Sequence, residues 1–180
     1  MIVRSLLLVA VLVAAAPGAG RAQVGIEVRG GGAIGNHAPA AAGLETIPGP
    51  SVTASLFLAP AHWIALYGSY SRSSFGCEEG FCTDRDVLIT TGSVIGGARL
   101  YLSPGIWLQG GIVNLTTVVS ANDAEDRASP ELGLEGGFGF RVRLAGPVAL
   151  VPAFLYRAGI EPAGRTTVVA GELGLQVRLR

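Results

Sequence analysis

Residues 131–144 read ELGLEGGFGFRVRL, and the reading of this stretch decides the fold. Sorted by parity, it separates into two faces. Leu132, Leu134, Gly136, Phe138, Phe140, Val142 and Leu144 make one; Glu131, Gly133, Glu135, Gly137, Gly139, Arg141 and Arg143 make the other. One face is apolar, the other charged or glycine. This is the period of a β-strand, whose successive side chains point to opposite sides. The run exceeds the roughly 5–6 residues of an ordinary strand and reaches the roughly 9–11 that a tilted strand needs to cross a bilayer.

The same alternation recurs at both ends of the chain. Val169, Gly171, Leu173, Leu175, Val177 and Leu179 oppose Val168, Ala170, Glu172, Gly174, Gln176, Arg178 and Arg180. Val24, Ile26 and Val28 oppose Gln23, Gly25, Glu27 and Arg29. Turn residues divide the chain into eight such segments, near 24–34, 51–58, 62–72, 87–102, 106–119, 131–144, 148–157 and 166–179. Three connectors are short and contain proline: Ala59-Pro60-Ala61, Ser103-Pro104-Gly105 and Ala145-Gly146-Pro147. Between them lie longer loops at 35–50, 73–86, 120–130 and 158–165. Long and short connectors alternate strictly, which predicts an all-β, eight-stranded antiparallel up-and-down barrel. In a transmembrane barrel the short turns face the periplasm and the long loops face outside.

Composition agrees. Of 180 residues, 49% are hydrophobic and 14% charged, with mean hydropathy +0.49; soluble domains carry about 25% charge. All 13 basic residues are arginine, balanced by 13 acids. This excludes a disordered chain, a disulfide-dense mini-protein and a nucleic-acid binder with a basic footprint. Residues 1–22 read as a secretory signal peptide: Arg4, the apolar run Leu6–Ala16, the breakers Pro17 and Gly18, then Gly20-Arg21-Ala22 with small residues at −3 and −1. The apolar run is too short for a spanning helix. Cleavage would leave a barrel domain at 23–180, with 11 arginines against 13 acids. In an exported chain the close pair Cys77 and Cys82 is expected to form a disulfide closing a loop tip.

Alternation alone leaves open which face is inside. A soluble barrel of lipocalin type, binding a small apolar ligand, would turn Leu134, Phe138 and Phe140 inward. Three features favour the reverse. Too few charges exist to solvate an exterior. The polar face is rich in glycine, which suits the narrow interior of eight strands. Its charges carry both signs: Glu27, Arg29, Arg99, Glu131, Glu135, Arg141, Arg143, Arg157, Glu172 and Arg178 are expected to pair across the interior. Arginine suits such pairing through its planar fork. Trp63, Trp107, Tyr101 and Phe57 lie near short turns and are expected to form an aromatic girdle.

With these patterns the chain resembles the small outer-membrane β-barrel proteins of Gram-negative-type bacteria, the eight-stranded group typified by the OmpA transmembrane domain and OmpX. The likeness spans 23–180 as architecture. Its most specific part is the C-terminal stretch, where Glu172, Gly174, Val177 and Leu179 fit the family's polar-x-Gly-x-x-apolar-x-apolar assembly signal. The chain departs by ending Leu179-Arg180 where many members end in an aromatic. The resemblance implies recognition by the barrel-assembly machinery, an outer-membrane location in contact with lipid, a monomer, and a structural or surface-interaction role such as adhesion or envelope integrity. No open pore is expected; a narrow conducting pore is a rival.

Other motifs are weaker. Gly30-x-Gly32-x-x-Gly35 matches a dinucleotide fingerprint in letters but lacks the helix and βαβ unit. Asn114-Leu115-Thr116 is a sequon inside a strand. A lipid hydrolase or acyltransferase would need a nucleophile, base and orienting group, for which His37, one of Ser71, Ser73 and Ser74, and an acid such as Asp84 or Asp86 are a candidate set near the long loops. No motif supports it, and no catalytic, cofactor or metal site is expected. The acids Glu78, Glu79, Asp84, Asp86, Asp123, Glu125 and Asp126 read as solvated loop charge. The loops at 35–50, 73–86 and 120–130 are the expected contact surfaces for an extracellular partner.

Overall fold

The computed structural model describes residues 23–37, 46–77, 87–121, 124–160 and 166–179. The expected signal peptide at 1–22 and the expected Cys77–Cys82 bridge lie outside the described residues. Eight strands build the molecule: β1 (Gln23–His37), β2 (Gly49–Ala61), β3 (Ile64–Cys77), β4 (Val87–Tyr101), β5 (Ile106–Ala121), β6 (Glu131–Phe140), β7 (Val148–Gly159) and β8 (Thr166–Leu179). Each pairs antiparallel with its neighbour in sequence. β8 returns to β1 over the register Val24↔Leu179 to His37↔Thr166. The sheet therefore closes on itself, so that neither β1 nor β8 is a free edge for another chain to extend.

Thr46–Ile47 lengthens the sheet beside β3, and Ala124–Arg127 folds back on β5. After Phe140 the sixth strand resumes at Val142–Ala145, keeping register against β7 at Leu150↔Val142 and Ala149↔Arg143 before a shift brings Val148 opposite Ala145. The interruption falls at Arg141, whose amide donates to the Gly105 carbonyl at 2.7 Å, one step beyond the Ile106↔Phe140 pair.

Two details differ from the sequence expectations. Ala59-Pro60-Ala61 is not a turn; β2 runs through it with a register shift between Leu58 and Ala61, and the chain reverses at His62–Trp63. A bulge at the sheet's end accommodates the missing proline N–H. Strands β1, β2, β3 and β5 also extend further toward the long loops than the alternation indicates. There the apolar signal fades while the backbone ladder continues. The Gly146–Pro147 turn needs its glycine, because Gly146 has φ +52°, in the left-handed region.

The parity of burial fixes the orientation. Leu134 is 58% exposed and Phe138 47%, while Glu135 between them is 4% exposed. Phe140 also faces out. The inward apolar face that a soluble ligand-binding barrel requires is absent from β6. Val24, Ile26 and Val28 point out on β1, and Leu173, Leu175 and Val177 on β8. Inside, apolar clusters sit at more than one level along the axis. Toward the long loops Phe75, Ile89, Leu155 and Val168 form an apolar cluster; lower down Phe57, Tyr67, Ile95 and Val113 form another.

The aromatic girdle is also revised. Trp63 is exposed at the short-turn rim, but Trp107 and Phe57 are buried inside and Tyr101 packs against the interior clusters. Proximity to a turn is a weaker guide than parity: Phe57 shares a face with Ser51, Thr53 and Ser55. Interior rings take their space from glycines. A Cβ on Gly139 would strike the Trp107 indole, and one on Gly35 the Phe75 ring.

Candidate functional site: a charged web across the barrel interior

The register delivers charged side chains to one level of the interior. Arg99 faces Gln109 across β4–β5, and Arg157 faces Glu135 across β7–β6. Arg29 sits opposite Gly174, whose missing side chain leaves room for it. Glu27 Oε1 accepts from Arg29 Nη1 at 2.7 Å and Arg99 Nη2 at 3.1 Å; its Oε2 accepts from Arg99 Nη1 at 2.9 Å and Gln176 Nε2 at 3.2 Å. Glu172 accepts from Arg29 Nε at 3.0 Å, Ser51 Oγ at 2.7 Å and Thr53 Oγ1 at 2.8 Å.

The Gln109 amide joins this half to a second one. Its Oε1 accepts from Arg99 Nη2 at 2.9 Å, and its Nε2 donates to Glu135 Oε1 at 2.8 Å. Glu135 also accepts from Tyr67 Oη at 2.7 Å and Arg157 Nε at 2.7 Å, and Arg157 Nη1 donates to Ser71 Oγ at 2.9 Å. The web thus runs unbroken from Thr53 to Ser71. The Arg99 guanidinium lies 3.8 Å from the Trp107 ring centroid and 4.3 Å from that of Phe57, close enough for cation–π attraction.

Burial of an ion costs several kcal/mol unless pairing and hydrogen bonds replace its hydration. Each of these three carboxylates has at least three donors, one or more of them cationic. Such a web is rigid, and it fills the interior with side chains that have little freedom to move apart.

The ten charged residues expected inside divide into groups. Glu27, Arg29, Arg99, Glu135, Arg157 and Glu172 meet in the web. Glu131 is buried apart from it, its Oε2 accepting the Thr166 amide at 3.0 Å. Arg141 is half-buried near the short-turn end, with no acceptor at Nε among the described residues. Two expectations fail. Arg143 is exposed and donates to the Gly146 carbonyl at 3.3 Å, because Val142–Ala145 runs past the end of β5, pairs with β7 alone and is exposed throughout. Arg178 sits at the rim, donating to Gln23 Oε1 at 3.2 Å with its guanidinium 5.7 Å from the Tyr101 ring; its level lies beyond the web's acids. Gln109, Gln176, Tyr67, Ser51 and Thr53 join the web without having been singled out in the sequence, and Ser71, weighed there as a nucleophile, joins it as a partner of Arg157. Their signal was the inward parity they share with the charges.

In the C-terminal motif, Glu172 and Gly174 face in, while Val177 and Leu179 are exposed on the outer wall. Of the serines weighed for catalysis, Ser71 binds Arg157, Ser73 binds Ser51 at 2.9 Å, and Ser74 pairs with Thr90 at 3.1 Å. Asp84 and Asp86 lie outside the described residues, and His37 is described by its backbone alone.

Closed topology, inverted faces and a filled interior together define the fold class: the eight-stranded transmembrane β-barrel. Solved structures agree. Neisserial surface protein A is 12% identical with TM-score 0.61, over 87% of this chain and 97% of that one. Ail, the attachment invasion locus protein of Yersinia pestis, is 13% identical with TM-score 0.59, over 88% and 99%. A major outer membrane protein from Thermus thermophilus is 13% identical with TM-score 0.59, again over 88% and 99%. At these identities the likeness is one of fold. No family model and no curated protein matches the chain in sequence.

Proposed function

We propose that the protein is a monomeric, integral outer-membrane barrel that presents its long loops at the cell surface and conducts no ions. The observation that carries this reading is the inversion: a wall of exposed Leu, Val, Ile and Phe encloses a web of paired charges. Water would reward the opposite arrangement, whereas lipid rewards this one. The hydrogen-bonded web crosses the interior at the level of Glu27, Gln109 and Glu135, and on this reading it blocks the passage of ions. Residues 1–22 would direct export. Glu172, Gly174, Val177 and Leu179 would address the folding chain to the assembly machinery, and a Cys77–Cys82 bridge would stiffen one loop. The loops at 35–50, 73–86 and 120–130 would supply the surface contacts. Two of the proteins of like fold are described as a surface protein and an attachment invasion locus protein, which accords with such a role.

Membrane fractionation with gel mobility before and after boiling tests it. The expected result is recovery in the outer membrane with a mobility shift on boiling. Recovery in the soluble periplasm would contradict the reading. In planar bilayers the protein is expected to give no unitary current; steady channel steps would contradict the closed interior.

A further inference from the structure

The outer wall is not uniformly apolar. A cavity of about 530 Å³ opens on the outside of β3, β4 and β5, bordered by the Ala124–Arg127 segment that pairs beside β5, and its lining includes Arg72, Arg127, Thr90 and Thr116. Its floor is Gly92, which lies level with Arg72 on one side and Thr116 on the other. A Cβ there would stand 3.8 Å from Tyr70 Oη and 3.9 Å from the Thr116 carbonyl, in ordinary van der Waals contact with no clash. Neither arginine forms an ion pair among the described residues; Glu125 shares the rim, leaving one net positive charge.

The height of this cavity matters. Arg72 comes nine residues after the His62–Trp63 turn. At about 3.3 Å per residue and a tilt of about 40°, it stands roughly 23 Å above that turn, near the top of an apolar band about 25 Å tall. The outward residues below it on β5, Ile106, Leu108 and Ile112, are apolar; from Asn114 upward polar ones join them. Two guanidinium groups thus face the headgroup layer at the long-loop end, beside hydroxyls and a tyrosine. Planar guanidinium forks match phosphate oxygens, and hydroxyls donate to the same group.

We propose that this cavity holds the phosphate headgroup of an anionic membrane lipid, with Arg72 and Arg127 gripping the phosphate and the acyl chains descending the apolar wall past Val94. The inference rests on the outer-membrane reading above. The test uses the refolded mature chain, with insertion checked by its boiling-dependent mobility. Native mass spectrometry then counts bound phosphatidic acid against phosphatidylcholine. Phosphatidic acid is expected to be preferred at least tenfold. Arg72→Ala with Arg127→Ala, and separately Gly92→Phe filling the floor, are each expected to remove that preference, while Arg143→Ala with Arg178→Ala at the other rim keeps it. Inserted barrels whose preference survives both cavity variants would overturn this inference alone. Competition by millimolar inorganic phosphate as effective as that of the lipid would assign the site to free phosphate and overturn the lipid assignment. A chain that fails to insert would overturn both readings.

Discussion

Glu27 accepts four hydrogen bonds from three side chains; two of those are arginines, and while Arg29 also holds Glu172, Arg99 pairs with no other carboxylate among the described residues. Glu27→Ala is therefore expected to cost about 3–5 kcal/mol, the loss typical when one partner of a buried pair is removed. Arg143→Ala, at an exposed arginine, should change stability by no more than about 0.5 kcal/mol. Urea unfolding of the two variants in lipid vesicles checks the contrast; equal losses would show that the web contributes nothing special. At this scale the sequence was partly legible. Parity placed Glu27, Arg29, Glu135 and Glu172 on the inner face, and six of the ten expected charges meet in the web. Arg143 and Arg178 misled because parity carries no information about height along the axis, and both lie beyond the level of the acids. Gln109 and Tyr67 were passed over because they are neutral, although they share that inner parity.

Each strand has an inner face set by the web and an outer face set by its depth. On β5 the outward residue Ile112 lies about halfway up the wall and is 60% exposed, whereas Thr116 lies near its upper edge. Ile112→Arg should destabilise the barrel by about 2–4 kcal/mol in lipid and Thr116→Arg by about 0–1 kcal/mol, as expected for arginine at the midplane and near the interface. The same urea titration reads both, and equal effects would remove the membrane from the explanation. Inside, Gly139→Val should cost at least about 1–3 kcal/mol, since its Cβ would enter the space of the Trp107 indole and overpack the wall. The eight strands and the alternating loop lengths were legible because period two persists through the apolar belt. The upper ends of β1, β2, β3 and β5 were not, because above the belt polar residues such as Ser73 and Ser120 still pair in the ladder while the apolar signal has gone. The β2 end was misread because Pro60 marks a bulge there as readily as a turn.

The whole molecule closes through β1 and β8, so its first and last strands form one of its longest seams, from Val24↔Leu179 to His37↔Thr166. Arg29 and Glu172 bridge that seam from within. Closure therefore depends on the last strand being present, and unfolding should be a single cooperative transition rather than a peeling of strands from an edge. The account's central claim is that the apolar face lies against lipid and the charged face inside. Tryptophan quenching by lipids brominated along the acyl chain tests this most directly. In a Trp63→Phe background, Trp107 is the only native tryptophan left and is fully buried inside. Its fluorescence should resist quenching, and Ile112→Trp should add emission that brominated lipid strongly quenches. An unquenched tryptophan at 112, or a strongly quenched Trp107, would contradict the orientation on which the account rests.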